Sequence, residues 1–545
     1  MKPNLIVKGL RAVIFNPLLK WINARKDYSQ LRKIIGDFKS KNIINKTIVI
    51  NTARNLRGSI DTEFFLGLKL ALNGAKVKIL LDDGILLHWD STDVNDFKKL
   101  RNVEKKIHNP YYLINGFDKL FSYKFLDVLV SRCIRKKAIK SYKVENLEFI
   151  YYSEFSSELE LDYENIEELK KHAESSLIRF QRSSDFDYNQ RDVKYYYLLS
   201  LKNAIVSRAI GSYIYNHIKP DYYINAHGIY STHGPVFEHL KKKGIKSYVW
   251  CGSNLHTLDI TNSMILDTPA QTMGSSSFWE EYKNTFITDE MRNAVKEWFI
   301  ARTEGKSADM IAGTLLIKDN IYNVDKNDGY KYHIALFPNI IWDGNIRDKH
   351  IAFNDYLDWI YSTIDYFKGR NDVKFYIKSH PNELNICKPK DRIIQILEKN
   401  IDINSIKNLV LISPESKINT YEFIKSGIDL CVVYDGFLAV ELKYLKIPTI
   451  MCVKGGFSYI EGADYTITNK EQYFEFLKNI DETIDSFNKN YPSFFDTIVR
   501  FLYWYLFYNI VKMPTQKYYY EYGLSLRHLT KNDLKAEKRL LELFR

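Results

Sequence analysis

Between Tyr332 and Asn469 the sequence repeats one pattern five or six times: a short apolar strand, a polar loop and a helix. The strand segments are rich in β-branched and aromatic residues and lack the two-residue alternation of a half-exposed sheet. This pattern predicts a parallel sheet that is covered by helices such as Ile351–Phe367 and Phe437–Leu445 on both faces. The predicted strands are Tyr332–Phe337, Val373–Ile377, Leu409–Ile412, Ile428–Tyr434, Thr449–Val453 and Tyr465–Thr468.

Polar clusters follow several of these strands. Ligands of such sheets bind at the carboxyl ends of the strands, so these clusters are candidate binding loops. They are Pro338-Asn339 with Trp342-Asp343, the run from Lys378 to Glu383, the run from Ser413 to Ser416, and Tyr434-Asp435-Gly436.

A βαβ unit is predicted in the N-terminal half, with strands Lys46–Thr52 and Lys76–Leu81 around the helix Thr62–Leu72. It lacks a GxGxxG motif, so a dinucleotide fingerprint is not supported. In the loop Ala53–Asp61 an anion or hydroxyl groups can be bound by the residues at the helix start, and a carboxylate there can act as a base. The binding candidates are Arg57 and Gly58, and the candidate bases are Asp61 and Glu63. The alternative is structural: Ser59 or Asp61 is an ordinary N-cap and Glu63 suits a first helical turn.

A second candidate loop follows the predicted strand Asp221–Ala226 and runs from His227 to Pro235. Glycine lets a ligand approach the backbone, and histidine can donate to a phosphate or a leaving oxygen. His227, Gly228 and Tyr230 are therefore candidate site residues. The alternative is a turn whose histidines are satisfied by the backbone.

At 545 residues the chain exceeds a single core, so several domains are expected. Region Asp90–Tyr215 is predicted to be a mostly helical insertion, and Lys306–Asp328 is predicted to link the domains. The expected divisions are amphipathic helices at 1–45, an N-terminal domain at 46–310 with an insertion at about 90–215, a C-terminal domain at 325–485, and a helical tail at 486–545 that packs back on the N-terminal domain.

The formal charge of +12 is spread along the chain and suggests an anionic ligand or membrane face, or merely a lysine-rich composition. Five cysteines without a CxxC motif fit a reduced cytoplasmic compartment, with Cys431 and Cys452 as buried thiols. No signal peptide and no run of about 18–20 apolar residues is found. The N-terminal amphipathic segment is predicted to be a packing helix, with a helix on the inner membrane face as the alternative.

The predicted C-terminal sheet supplies groups suited to a leaving phosphate. His380, helped by Lys378, can hydrogen-bond a phosphate oxygen. The amide of Gly436 opens a helix and can face the same group, while Glu441 can accept from ribose hydroxyls. The alternatives are a His380 that merely caps a strand end and a Glu441 that pairs with a neighbouring lysine on the surface. Asn339, Ser413, Ser416 and Asp435 complete the predicted binding set.

These motifs resemble bacterial capsule and lipopolysaccharide glycosyltransferases, especially those that transfer Kdo or sialic acid. The resemblance rests on His380-Pro381 after a strand, on Gly436, Glu441 and Pro448 in order, and on short motifs at Arg57–Glu63 and His227–Tyr230. It implies two doubly wound Rossmann-like α/β domains that face each other across a cleft, the GT-B type. One departure is Tyr434-Asp435, where such enzymes usually carry serine or threonine, so Asp435 is expected to face the base or sugar, or a cation.

The resemblance implies transfer of a sugar, preferably from a CMP-linked ulosonic acid and otherwise from a UDP-sugar, to a glycan or glycolipid hydroxyl. No nucleic acid partner, cofactor or catalytic metal is expected. The His-Gly and His-Pro motifs are also similar to those of teichoic acid polymerases, which use CDP-glycerol. A non-catalytic assembly protein with a degenerate site, and a sugar epimerase, are further alternatives.

Overall fold

The structure is a computed structural model. It describes residues 29–36, 43, 45–53, 57–82, 85–86, 144, 146–251, 259, 261–303, 320, 322–345, 347, 350–384, 390–452, 467–515, 526 and 528–544, without the side chains of 57–59, 270, 271 and 273. Predictions for residues 1–28 and 87–143, for Cys133 and Cys387, and for the first two residues of the strand at 465–468 lie outside these ranges.

The N-terminal sheet contains a doubly wound core of five parallel strands in the order β3-β2-β1-β4-β5. Strand β6 then pairs antiparallel with β5. Successive residues of a strand face opposite sides of the sheet, so Ile48 and Ile50 pack on one face and Val49 on the other. The strands are β1 Thr47–Thr52, β2 Lys76–Leu81, β3 Leu147–Tyr151, β4 Tyr222–Ala226, β5 Lys246–Cys251 and β6 Asn262–Leu266.

The C-terminal sheet is wholly parallel, in the order β11-β10-β7-β8-β9. Every residue of β7 and β10 is buried, as expected for strands covered on both faces. The strands are β7 Tyr332–Phe337, β8 Val373–Lys378, β9 Leu409–Ile412, β10 Leu430–Val433 and β11 Thr449–Met451. The two sheets confirm the predicted α/β class with two doubly wound Rossmann-like units.

The helices lie between and around these strands. They are α1 Arg57–Leu72, α2 Glu167–Gln181, α3 Arg191–Tyr213, α4 Gly234–Lys242, α5 Ser277–Tyr282, α6 Asp289–Thr303, α7 Tyr356–Phe367, α8 Ile393–Asn400, α9 Thr420–Lys425, α10 Phe437–Tyr444, α11 Lys470–Lys478, α12 Ile480–Tyr503 and α13 Lys538–Leu543. A further helical segment covers residues 29–35. Of the described helices, none combines the length and apolar character that crossing a bilayer requires.

Short 3-10 and π turns supplement the helices. The 3-10 turns are Tyr152–Glu154, Ser156–Glu158, Ala270–Ser275, Pro381–Leu384, Ile403–Ser405, Pro414–Ser416 and Asn532–Leu534, and the π turns are Ile214–Ile218 and Trp504–Tyr508.

The C-terminal tail completes the N-terminal unit. Strand β12, Val511–Lys512, pairs antiparallel with β6 and extends the N-terminal sheet to seven strands. Apolar residues of the tail, such as Leu529 and Phe544, join the core on the α1 face of this sheet. Within the predicted helical tail at 486–545, the last described helix is the short α13, which begins at Lys538.

Two details of the N-terminal unit differ from the predictions, and one prediction about the C-terminal unit is confirmed. Helix α1 begins at Arg57 and not at Thr62, so Asp61 lies inside the helix and is not its N-cap. The predicted helical insertion also contains the strand β3. This five-residue segment of mixed composition is held in the sheet by its parallel pairing with β2. Cys431 and Cys452 are buried thiols, as predicted.

Candidate functional site

The carboxyl edge of the C-terminal sheet has its topological switch point between β7 and β10. The loops that follow these strands turn to opposite sides and leave a crevice, which is where such sheets bind ligands. The Asn339 amide spans this point: its Nδ2 donates to the Asp435 carbonyl, and its Oδ1 accepts from the Asp435 backbone N–H at 3.3 Å. Asn339, Asp435 and Gly436 are thus brought together, as the sequence suggested.

Gly436 is not required by backbone strain. Its φ of 168° is an extended conformation that any residue adopts, and a Cβ atom there would meet Asn339 Nδ2 at an ordinary 3.6 Å. Its functional interest lies in its position as the N-cap of α10. Asp435 is 6% exposed, so the acid that departs from the glycosyltransferase pattern is buried beside the crevice.

His380 leaves β8, the strand next to β7. Its Nδ1 accepts a hydrogen bond from the Asn382 backbone N–H at 3.1 Å. A ring nitrogen that accepts carries no proton, so the proton of neutral His380 is on Nε2, which is then a donor. The buried Lys378 ends the same strand. This arrangement can present a neutral donor and a nearby cation to an anionic oxygen.

Glu383 is a residue whose importance the sequence did not single out within its polar cluster. It lies in the 3-10 turn Pro381–Leu384, is 1% exposed, and has an Oε2 atom that no donor of the described residues reaches. Its Oε1 accepts a long hydrogen bond, 3.5 Å, from the Ile393 N–H. Burial raises the pKa of Glu383 to about 7, against the opposing effects of that bond and of Arg392. Perturbed acids of this kind concentrate at functional sites.

The loop after β4 faces the C-terminal unit. His227 adopts a positive φ of 56°, and Gly228 follows at 71°. A Cβ atom at Gly228 would lie 2.8 Å from Val249 Cγ1, so glycine is needed here for space as well as conformation. The ring of half-buried His227 lies 6.5 Å from that of Tyr230. The predicted loop residues His227, Gly228 and Tyr230 therefore lie together.

Gly234 closes this loop against helix α2. A Cβ atom there would clash with His172 Nδ1 and would lie 2.6 Å from the Ile229 carbonyl oxygen. The same His172 Nδ1 is hydrogen-bonded to the Ile229 carbonyl. Burial would raise the pKa of Glu238, but the hydrogen bond and charge of His172, with Lys171, lower it to about 2. These contacts of helix α2 and helix α4 hold the loop after β4 in its conformation.

The candidate bases lie in the early turns of α1. Glu63 is 2% exposed, and its Oε1 accepts from the indole Nε1 of Trp250 at 2.9 Å. Asp61 is also buried, and the adjacent Thr62 hydroxyl lies 3.2 Å from that of Thr515 in the tail. Arg57 forms the start of the helix together with Gly58, with side chains outside the described set.

Tyr230 is one of the residues through which the two units contact each other. Its hydroxyl accepts from Arg179 Nη1 at 2.6 Å and from the Gly344 N–H at 3.4 Å. Arg179 also bonds Asp343 Oδ1 at 2.8 Å and lies over the Trp342 ring. The loop after β4 thus contacts the loop after β7. The sequence marked Tyr230 and Trp342-Asp343 but missed Arg179, which lies in a region whose function was not legible.

Glu441 does not have the surroundings that the sequence suggested. It is buried, and its Oε1 accepts from Arg302 Nε of helix α6 at 2.7 Å. The alternative of a surface residue paired with Lys443 or Lys446 is wrong, because the partner comes from 139 residues away. Binding of ribose hydroxyls would need Oε2, or a change in the Arg302 side chain.

Ser413 and Ser416 are engaged locally in the turn after the edge strand β9. Ser413 Oγ donates to Glu415 Oε2 at 2.8 Å, and Ser416 Oγ donates to the Ser413 carbonyl at 2.6 Å. Their hydroxyl oxygens retain acceptor capacity. The structure brings neither of them into contact with the Asn339–Asp435 pair.

No protein-family model matches the sequence, and no curated protein matches it. Similarity to solved structures was found. One is KpsC of Thermosulfurimonas dismutans, described as a beta Kdo 2,4 transferase, at 10% identity over 46% of this chain and 75% of that chain, with a TM-score of 0.31. Another is the wall teichoic acid polymerase TagF, at 11% identity over 91% of this chain and 93% of that chain, with a TM-score of 0.20.

A third similar structure is a putative UDP-N-acetylglucosamine 2-epimerase of Listeria monocytogenes, at 10% identity over 83% of this chain and 93% of that chain, with a TM-score of 0.25. The similar structures thus carry different activities. At such identities and TM-scores the likeness assigns none of those activities to this chain, so its function has to be argued from its own residues.

Proposed function

We propose that the protein is a glycosyltransferase that moves a sugar from a nucleotide-sugar donor to a hydroxyl of a glycan or glycolipid acceptor. The carrying observation is that carboxyl-edge loops of two doubly wound sheets contact each other through Tyr230, Arg179 and Asp343. Two such edges can hold donor and acceptor on opposite sides of one reaction centre.

In this proposal the donor's phosphate lies at the C-terminal edge. His380 Nε2–H donates to a phosphate oxygen, and Lys378 with the Gly436 amide offsets the charge that grows as the phosphate leaves. Support comes from the hydrogen bond of Asn382 to His380 Nδ1, which fixes the tautomer that can donate. Glu441 is assigned to the ribose through Oε2, with Arg302 holding Oε1.

The acceptor hydroxyl is assigned to the N-terminal edge. Its oxygen attacks the anomeric carbon, the bond from that carbon to the phosphate oxygen breaks, and the hydroxyl proton passes to a side-chain base. Glu63 is the first choice for the base, since Trp250 orients its carboxylate, and Asp61 and His227 are the others.

The proposed donor is a CMP-linked ulosonic acid, with a UDP-sugar next, and the proposed context is assembly of a bacterial surface polysaccharide in the cytoplasm, in peripheral contact with the membrane. Transfer is proposed to need no metal. A non-catalytic binding protein is the second candidate, favoured by buried Asp435, which would repel a phosphate placed beside it.

The test is thermal stabilisation of the full chain by CMP-, UDP-, GDP- and CDP-linked compounds, with and without EDTA. A ligand at 100 times its Kd adds about 2.7 kcal/mol to the folded state. Stabilisation by a sugar nucleotide, followed by release of the nucleotide when acceptor is added, is expected. Stabilisation by CDP-glycerol alone would favour a polyol-phosphate transferase, binding without turnover would favour the second candidate, and no stabilisation by any compound would refute the proposal.

A further inference from the structure

A cavity of about 360 Å³ lies between the loop after β7 and the first turns of helices α7 and α11, within the C-terminal unit. Its lining includes Arg347, His350, Phe353, Asp358 and Lys470. The volume falls at the lower end of the range for small-molecule sites. None of these residues was singled out by sequence, because the loop after β7 and the start of α11 are more than 100 residues apart.

The cavity carries two cations with unused donors. Lys470 Nζ donates to Ser362 Oγ at 2.8 Å and lies 5.4 Å from the centre of the Phe353 ring. Arg347 is 68% exposed, and its Nη1 lies 3.5 Å from Glu174 Oε1. Since a guanidinium has five N–H donors, one long contact leaves most of them available to a ligand.

The acid in the lining is already engaged. Asp358 Oδ2 accepts from the Asn354 backbone N–H at 2.9 Å and from Asn354 Nδ2 at 3.0 Å. Asp358 Oδ1 accepts from Ser362 Oγ at 3.1 Å and lies 3.5 Å from Lys470 Nζ. Both carboxylate oxygens of Asp358 thus accept from protein donors. The N–H groups that can bind a ligand in the cavity belong to Arg347 and Lys470.

His350 connects the cavity to the crevice. Its Nε2 lies 2.7 Å from Asn345 Oδ1, and its Nδ1 lies 2.6 Å from the Tyr434 hydroxyl. An amide oxygen only accepts, so Nε2 carries the ring proton and Nδ1 accepts from Tyr434. Tyr434 directly precedes Asp435 and Gly436, so His350 links the lining of the cavity to the segment that begins α10.

We propose that this cavity binds an oxyanion of the donor, a sugar carboxylate or a phosphate, through Arg347 and Lys470. The inference rests on the proposed function and deepens it, since it names the anionic group of the donor that a second set of residues would bind. Charge-assisted bonds from a guanidinium and an ammonium suit both oxyanions.

The test measures Kd by calorimetry for a CMP-linked ulosonic acid, for CMP, and for inorganic phosphate, in the wild type and in Arg347→Gln and Lys470→Gln. Lys478→Gln, at the exposed far end of the same helix α11, is the matched control. Arg347 is largely exposed, so its replacement leaves the fold intact even if that of Lys470 does not.

Each cavity variant should raise the Kd of the acidic sugar nucleotide about tenfold, because one hydrogen bond to a charged group contributes about that factor to affinity. Unchanged CMP affinity would identify the sugar carboxylate as the bound group, and an equal loss for CMP would identify the phosphate. Equal affinities in wild type and Arg347→Gln would overturn the inference. If the wild type binds no nucleotide, the proposed function is overturned and the cavity is tested with inorganic phosphate alone. Phosphate binding by the wild type that is lost in both variants supports the cavity site. Phosphate binding that is absent from the wild type, or unaffected in the variants, overturns it.

Discussion

Replacement of Glu383 by glutamine tests the most unusual electrostatic feature of the candidate site. Glutamine keeps the oxygen that accepts from the Ile393 N–H but cannot ionise. In the wild type, burial raises the pKa of Glu383 from 4.5 to about 7. The folded state therefore holds this proton more tightly than the unfolded chain does. The stability contributed by the protonated acid is fully present below pH 4.5 and is lost as pH rises through 7.

The magnitude follows from the two pKa values. Their difference of about 2.5 corresponds to about 3 kcal/mol, most of which is lost between pH 5 and pH 8. The side chain is 1% exposed, so solvent screening does not reduce this value much. In a domain of this size 1 kcal/mol shifts Tm by about 2–4 °C, so Glu383→Gln should gain roughly 5–10 °C on the wild type between pH 5 and pH 8.

The assay is scanning calorimetry of both proteins at unit steps of pH. Glu415→Gln is the matched control, because Glu415 lies in the neighbouring 3-10 turn, pairs with Arg392 and is half exposed. The difference in Tm between Glu415→Gln and the wild type should stay nearly constant over the same pH range. A constant difference for Glu383→Gln would refute the reasoning, since it would mean that Glu383 ionises like an exposed acid.

Three further predictions follow from the geometry. His380→Ala should lower kcat about 100-fold or more while circular dichroism is unchanged, and turnover near the wild-type value would remove His380 from the mechanism. Arg302→Met should lower the free energy of unfolding, measured in urea, by about 3–5 kcal/mol, because Glu441 is then buried without its cation, and adding Glu441→Leu should restore most of this stability. A double variant as unstable as Arg302→Met alone would contradict this. Gly234→Ala should lower the free energy of unfolding by about 1–3 kcal/mol, because the new Cβ atom meets the His172 ring, whereas Gly369→Ala, in open space, should not. Equal Tm values for the two variants would show that the loop adapts.

Strand positions were legible in the sequence to within one or two residues over most of the described chain. Tyr332–Phe337, Lys76–Leu81 and Leu409–Ile412 have the predicted bounds. Fully buried strands require unbroken apolar runs, and this requirement is local. The beginning of α1 was less predictable, because several polar residues near Asp61 suit an N-cap equally well.

Part of the candidate site was also predictable. Loops that leave neighbouring parallel strands share one edge, so Asn339 could be expected near Asp435. The partner of Glu441 could not be predicted, since Arg302 lies in helix α6, 139 residues away in the sequence. Nor could the raised pKa of Glu383, which depends on how completely neighbouring segments cover it.

By itself the sequence determined the alternation of strands and helices, the α/β class and the loops that carry polar chemistry, because hydrophobic period and turn residues act over a few positions. Tertiary structure decided which of those loops meet, which acids are buried, and that strand β12 of the tail joins the N-terminal sheet. Those outcomes depend on contacts between segments far apart in the sequence, for example 51 residues for Arg179 and Tyr230 and 139 for Arg302 and Glu441. No local pattern encodes such contacts, since desolvation and charge pairing depend on what the whole fold brings together.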